Sequence, residues 1–201
     1  MISKQMQAQV ESSSVIRAMF EEGKRLASLY GADNVFDFSL GNPSVEPPAE
    51  IKTALLEILQ EKNTTGIHGY MNNSGFENVR DAIAQSLNRR FHTNFSQNNI
   101  IMTVGAAGGL NVIFKTLLDP QDEVIVFAPF FGEYRNYVSN YQGKLIVIPA
   151  DIFSFQPNLA MLQEMITART KAVIVNSPNN PTGVVYSSAT IHQLADILRN
   201  K

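Results

Sequence analysis

Residues 124–134 read Val-Ile-Val-Phe-Ala-Pro-Phe-Phe-Gly-Glu-Tyr. The four apolar residues that open this stretch do not alternate with polar ones, which is typical of a strand covered on both faces. Proline and glycine then break the strand, and a helix-like segment follows at about 132–141. The stretch therefore predicts one strand–helix step of an α/β fold with parallel strands.

The same step recurs through the C-terminal part of the chain. Strands are expected near 100–104, 123–127, 144–149 and 171–176, and helices near 108–118, 132–141, 158–167 and 188–200. Because strand and helix alternate four times, we expect an α/β fold with a mostly parallel sheet and flanking helices. Right-handed crossovers would bring the C-terminal ends of the strands to one rim, where open α/β sheets bind their ligands.

The first part of the chain has a helical pattern and ends in a cluster of prolines. Helices are expected near 12–30, 49–61 and 76–91, with a strand-like run at 35–40 and a loop at 62–75. Gly41-Asn42-Pro43 and Pro47-Pro48 interrupt the chain between the first two helices. We therefore expect an N-terminal arm over residues 1–48 and an α/β domain over 49–201.

Composition excludes several classes of function. The 201 residues carry a net charge of −2 without runs of like charge, which argues against nucleic acid or a membrane surface as a partner. Cysteine is absent, so disulfides and thiolate chemistry are excluded. No secretory signal or membrane-length apolar run is visible, so a cytoplasmic location is expected. His68, His92 and His192 match no metal-binding spacing, and no metal site is expected.

Small residues follow the first predicted strand. Val104-Gly105-Ala106-Ala107-Gly108-Gly109 opens a helix, and the free N–H groups of a helix start favour a phosphate. The spacing fits neither the dinucleotide fingerprint nor the P-loop. A tight strand–helix junction without a ligand is the alternative interpretation of this segment.

Two further groups follow the other strands. Phe130, Phe131 and Tyr134 could offer a ring face to a planar cofactor, or they could be core residues. Asn-Asn-Pro-Thr-Gly at 179–183 could aim an amide at a polar ring substituent, or it could be an ordinary turn.

Taken together and in this order, these elements resemble the class I/II aminotransferases of PLP fold type I. The similar segments are 40–43, 69–75, 103–111, 119–126, 128–134 and, most specific, Ser-Pro-Asn-Asn-Pro-Thr-Gly at 177–183. They extend over nearly the whole chain and are most similar to bacterial aspartate or aromatic-acid aminotransferases. The resemblance implies the first half of that family's large domain, with pyridoxal 5′-phosphate (PLP) as cofactor. It also implies transfer of an amino group between an amino acid and a 2-oxo acid.

The resemblance assigns a cofactor role to four residues. It implies that the backbone amides of Ala106 and Ala107 hold the PLP phosphate. Phe131 would stack on the pyridine ring, and Asn180 would hydrogen-bond the ring 3′-oxygen.

It also assigns residues that contact substrate or a partner subunit. Gly41 would bring its backbone to the substrate carboxylate, beside Asn180. Tyr70 would reach the phosphate of a neighbouring subunit, which implies a homodimer with shared sites. Tyr134 would support the loop that stacks on the ring.

The family's catalytic lysine has no match in these residues. The Schiff-base lysine, an aspartate for the pyridine nitrogen and an arginine for the substrate carboxylate follow the Asn-Asn-Pro-Thr-Gly turn in the family. None of the eight lysines here has the family's Ser-x-x-Lys context. We therefore expect a truncated, N-terminal part that is inactive alone. A PLP-dependent lyase or decarboxylase of the same fold, or a non-catalytic α/β domain that binds a phosphate ligand, remain alternatives.

Overall fold

The structure is a computed structural model that describes residues 1–4, 6, 7, 10, 14–38, 41, 43, 45–61 and 64–201. Contacts divide the chain into two compact units, Met1–Tyr70 and Met71–Lys201. The predicted domain boundary after residue 48 stays a prediction. Among the described residues, no helix is both long enough and apolar enough to cross a membrane.

The first unit is helical. It contains α1 (Ser14–Tyr30), a 3-10 helix (Ala32–Asn34), α2 (Ala49–Gln60) and α3 (Thr64–His68). Helices α1 and α2 confirm two predicted helices, although Ser12 and Ser13 of the first lie outside the described residues. Gly31 ends α1 at a φ of 85° that favours glycine, and its N–H donates to the Ala27 carbonyl at 3.0 Å. Apart from residues 14–18, 20 and 64, none of the described residues of this unit is buried.

Two predictions for the first unit are wrong. The strand-like run at 35–40 forms no strand over Val35–Phe38, and Ser39 and Leu40 lie outside the described residues. A strand needs a neighbour for its backbone, and no described segment of this unit supplies one. The predicted loop at 62–75 contains the short helix α3, which is too short to produce an apolar periodicity in the sequence.

The second unit is an α/β domain, which confirms the predicted fold class. Its elements are α4 (Glu77–Phe91), a 3-10 helix (Gln97–Asn99), α5 (Gly105–Leu117), β1 (Glu123–Ala128), α6 (Glu133–Ser139), β2 (Lys144–Pro149), α7 (Leu159–Met165), β3 (Thr170–Val173) and α8 (Ser188–Arg199). The strands form a parallel sheet in the order β2-β1-β3. In its register Val126 lies opposite Val147, and Val124 lies opposite Ala172.

The core lies on both faces of the central strand. On one face, Val124 packs with Phe114 of α5 and Val138 of α6. On the other face, Ile125 and Phe127 form a second cluster. Its other buried members, from β2, α7 and α8, are Ile148, Leu162 and Leu194. The continuous apolar run in β1 is therefore explained by helices that cover both faces of the strand.

The predicted strand at 100–104 is wrong. This segment is extended, but its backbone bonds to a loop instead of a strand: the Met102 N–H donates to the Ser74 carbonyl at 3.0 Å. The buried Arg80 guanidinium also holds it, since Nη1 donates to the carbonyls of Gln97 at 2.9 Å and Ile100 at 3.4 Å. The segment still leads into α5 at Gly105, as the sequence predicts.

A substitution at Leu162 tests the packing of the core. We expect Leu162→Ala to lower the free energy of unfolding by about 2–5 kcal/mol, because the side chain is fully buried and leaves a cavity. Chemical denaturation measures this loss. The matched control is Leu59→Ala on α2, where the side chain is 73% exposed and the loss should stay below about 1 kcal/mol. Equal losses at the two positions would contradict this packing.

Candidate functional site

The candidate site lies in a crevice between two neighbouring strands. β1 and β3 are adjacent and parallel, but β1 leads to α6 on one face of the sheet and β3 leads to α8 on the other. The loops that leave them therefore diverge at their carboxyl ends. Such a switch point is where open α/β sheets bind ligands.

The amino end of α5 presents free backbone donors. Gly105 has a φ of 65°, and the Gly108 N–H donates to the Val104 carbonyl at 3.2 Å. The N–H groups of Ala106 and Ala107 have no acceptor among the described residues. The first turn holds no acidic side chain, so the helix dipole is not neutralised there. This end of α5 can therefore bind an anion through two main-chain N–H groups.

An aromatic group follows β1. The Phe131 ring meets Tyr134 edge-on, with centroids 5.7 Å apart and planes at 81°. Phe130 stacks on the same tyrosine at 6.5 Å and 11°. Burial raises the pKa of the Tyr134 phenol, and Tyr137 adds to the rise, so the phenol is neutral near physiological pH. Tyr134 thus supports both phenylalanines, whereas Phe131 keeps 38% of its surface exposed.

The turn after β3 is built around the buried Asn179. Its Oδ1 accepts from the Thr182 N–H at 3.2 Å and the Thr182 hydroxyl at 2.9 Å. Its backbone closes the turn, because the N–H donates to Val184 at 2.9 Å and the carbonyl accepts from Gly183 at 2.7 Å. Burial raises the pKa of the Tyr186 phenol, although a hydrogen bond with the Asn179 side chain partly opposes the shift. Asn179 therefore fixes the backbone from which Asn180 projects.

These three elements line one cavity of about 270 Å³. Its lining residues are Ala106, Ala107, Leu110, Phe131, Tyr134, Tyr137, Asn176 and Asn180. All four residues predicted to bind a cofactor within this unit are therefore brought together. The volume lies just below the usual range for small-molecule sites, which is about 300–1,000 Å³.

Two predicted site residues lie outside this unit, and two residues that line the cavity were not predicted. Gly41 and Tyr70 belong to the first unit, where both are exposed, and their roles stay predictions. The sequence analysis missed Tyr137 and Asn176. The first follows Tyr134 by three residues on α6, and the second is the last residue of the predicted strand at 171–176, so position carried a signal for each.

A larger cavity, of about 400 Å³, lies along the edge strand β3. Two of its polar side chains have partners on or next to β1. Lys171 forms an ion pair with Asp122 at 3.8 Å, and the hydroxyl of Thr167 donates to Glu123 at 2.6 Å. The smaller cavity is the better candidate because it combines the free backbone donors at the start of α5 with an aromatic ring and an amide side chain.

Comparison with known proteins identifies the family. The family described as aminotransferase class I and II matches residues 33–201. The chain belongs to that family. Over its full length this aminotransferase-family chain resembles an amino transferase structure from Eubacterium rectale, with a TM-score of 0.93 and 40% identity, and it covers 51% of that chain.

Two curated relatives of this aminotransferase-family chain carry more specific names. The aspartate/prephenate aminotransferase of Thermus thermophilus is 33% identical over 96% of this chain and 49% of its own length. The aspartate aminotransferase of Thermotoga maritima is 30% identical over 93% of this chain and 49% of its own length. The chain thus spans about half the length of the curated relatives it matches.

Two neighbouring asparagines distinguish a buried residue that stabilises the turn from an exposed one that does not. Asn179→Ala should lower the free energy of unfolding by about 1–3 kcal/mol, because it leaves the Thr182 and Tyr186 groups without their buried partner. Asn180→Ala should change stability by less than about 0.5 kcal/mol, because that side chain is exposed. Thermal and chemical unfolding measure both. Equal free energies of unfolding for the Asn179→Ala and Asn180→Ala variants would contradict this role of the Asn179 hydrogen bonds.

Proposed function

We propose that this chain forms the phosphate- and ring-binding part of a PLP-dependent aminotransferase. The observation that carries the proposal is the cavity in which the unpaired N–H groups of Ala106 and Ala107 lie beside Phe131 and Asn180. A phosphate, a planar ring and a polar ring substituent are the groups that such a cavity suits. PLP combines all three.

The proposed reaction moves an amino group between an amino acid and a 2-oxo acid. Aspartate or an aromatic amino acid is the proposed donor, which the names of the Thermus thermophilus and Thermotoga maritima relatives support for aspartate. When bound, PLP supplies the electron sink for chemistry at the amino acid's α-carbon.

In this proposal the chain's own residues bind and orient the cofactor. The amides of Ala106 and Ala107 hold the phosphate at the positive end of α5. Phe131 covers one face of the ring and excludes water from it, and Tyr134 holds that phenylalanine edge-on. The Asn180 amide donates to the ring 3′-oxygen. It is held in place by its own backbone, which the Asn179 turn fixes.

Substrate and subunit contacts extend the proposal. We assign the Gly41 backbone to the substrate carboxylate. We assign Tyr70 to the phosphate in a second copy of the chain, so the active form would be a homodimer with shared sites. The exposed Tyr70 side chain is compatible with such a contact.

The adjacent phenylalanines test the ring contact. We expect Phe131→Ala to weaken binding of pyridoxine 5′-phosphate by roughly three- to ten-fold, because a ring contact contributes about 0.5–1.5 kcal/mol. This probe has the ring, the 3′-hydroxyl and the phosphate of PLP but no aldehyde, so it cannot react with surface lysines. Calorimetry or ring fluorescence measures the affinity. Phe130→Ala is the matched control, since Phe130 does not line the cavity, and equal effects of the two variants would count against the ring assignment.

Lysine trapping tests what the 201 residues do alone. No lysine among the described residues lines the cavity, so incubation with PLP and borohydride should label no single lysine stoichiometrically. Transfer from aspartate to 2-oxoglutarate should also be undetectable with this chain alone, because the proton shuttle that a lysine provides is missing. Peptide mass spectrometry and a coupled assay measure the two outcomes. Stoichiometric trapping on one lysine together with amino transfer would refute this division of roles.

A further inference from the structure

Asn176 lies three residues beyond the end of β3 and makes one defined contact. Its Oδ1 accepts the backbone N–H of Asn180 at 2.8 Å. A backbone N–H can only donate, so this contact fixes which end of the Asn176 amide is the oxygen. The Nδ2 group, at the other end of the amide, has no acceptor among the described residues.

The surroundings of Asn176 favour an anionic acceptor. Asn176 lines the same cavity as the unpaired N–H groups of Ala106 and Ala107. None of the residues that line this cavity is acidic. An oxygen anion that enters the cavity would therefore meet N–H groups from two separate loops.

We infer that Asn176 is a further ligand-binding residue of this site. Its Nδ2 donates to an anionic oxygen of the bound cofactor, on the ring or on the phosphate, while its Oδ1 holds Asn180 in position. The inference rests on the proposed function and adds a donor that the family resemblance did not assign. The competing explanation is that Asn176 only fixes the turn through Oδ1.

Replacement by aspartate separates the two explanations. Asn176→Asp keeps an oxygen that accepts the Asn180 N–H, but it exchanges the Nδ2 donor for a negative charge. We expect its thermal midpoint to stay close to that of the wild type, whereas Asn176→Ala should melt lower because the Asn180 N–H loses its acceptor. The Asp variant should nevertheless bind pyridoxine 5′-phosphate at least about ten-fold more weakly at neutral pH, since a bond to a charged group is lost and repulsion is added.

The control and a second measurement guard against a general charge effect or a folding defect. Asn94→Asp adds the same charge at an exposed position outside the cavity, and it should bind like the wild type. In the ¹⁵N-labelled wild type, the Asn176 side-chain NH₂ signal should shift on addition of the probe, while that of Asn94 should not. Binding of inorganic phosphate and of pyridoxal then shows which oxygen accepts from Nδ2. The Asp substitution should weaken binding of phosphate if the acceptor is on the phosphate, and binding of pyridoxal if it is on the ring.

The outcomes are distinct. An Asp variant that binds like the wild type, or an unmoved Asn176 NH₂ signal in a wild type that binds, would overturn the inference and leave the proposed function intact. A wild type that does not bind pyridoxine 5′-phosphate would overturn the proposed function and the inference with it. An Asp variant that melts like the wild type but binds at least ten-fold more weakly would support both.

Discussion

Strand β1 is covered on both faces, and the rest of the second unit is arranged around it. Val124 through Phe127 are all buried, with alternate side chains directed to opposite helix layers. Right-handed connections then place α6 and α7 on opposite faces of the sheet, because the chain leaves β1 for β2 through α6 and crosses back to β3 through α7. The strand at the centre therefore determines where the crevice opens.

The chemistry of the crevice follows from what each loop does with its backbone. The loop before α5 leaves two N–H groups unpaired, whereas the turn after β3 pairs four N–H groups through Asn179 and Asn176. The first loop thus supplies binding capacity, and the second supplies rigidity. A preorganised set of donors loses little freedom when a ligand binds, which is why a cavity of modest size can still select its ligand.

The sequence predicted most of this fold because the deciding signals are local. Apolar periodicity located α1, α2, α4 and α8 to within a few residues, and continuous apolar runs located β1 and β2. The error at 100–104 arose because strand formation depends on a neighbour, which no local pattern reveals. At the site, the residue pattern indicated the small-residue, aromatic and Asn-Asn-Pro-Thr-Gly segments, whereas the choice of Ala106, Ala107, Phe131 and Asn180 within them came from the family resemblance. The role inferred for Asn176 needed the hydrogen bond to Asn180, which depends on the turn geometry rather than on residue type.

The central claim is that the free N–H groups of α5 are the anion-binding groups of this chain. Amide chemical shifts, measured in a ¹⁵N-labelled sample during titration with pyridoxine 5′-phosphate, test it directly. The account predicts that the backbone signals of Ala106 and Ala107 move most, while Thr170 and Lys171 beside the larger cavity stay in place. Saturable shifts centred on Thr170 and Lys171, with Ala106 and Ala107 unmoved, would contradict it.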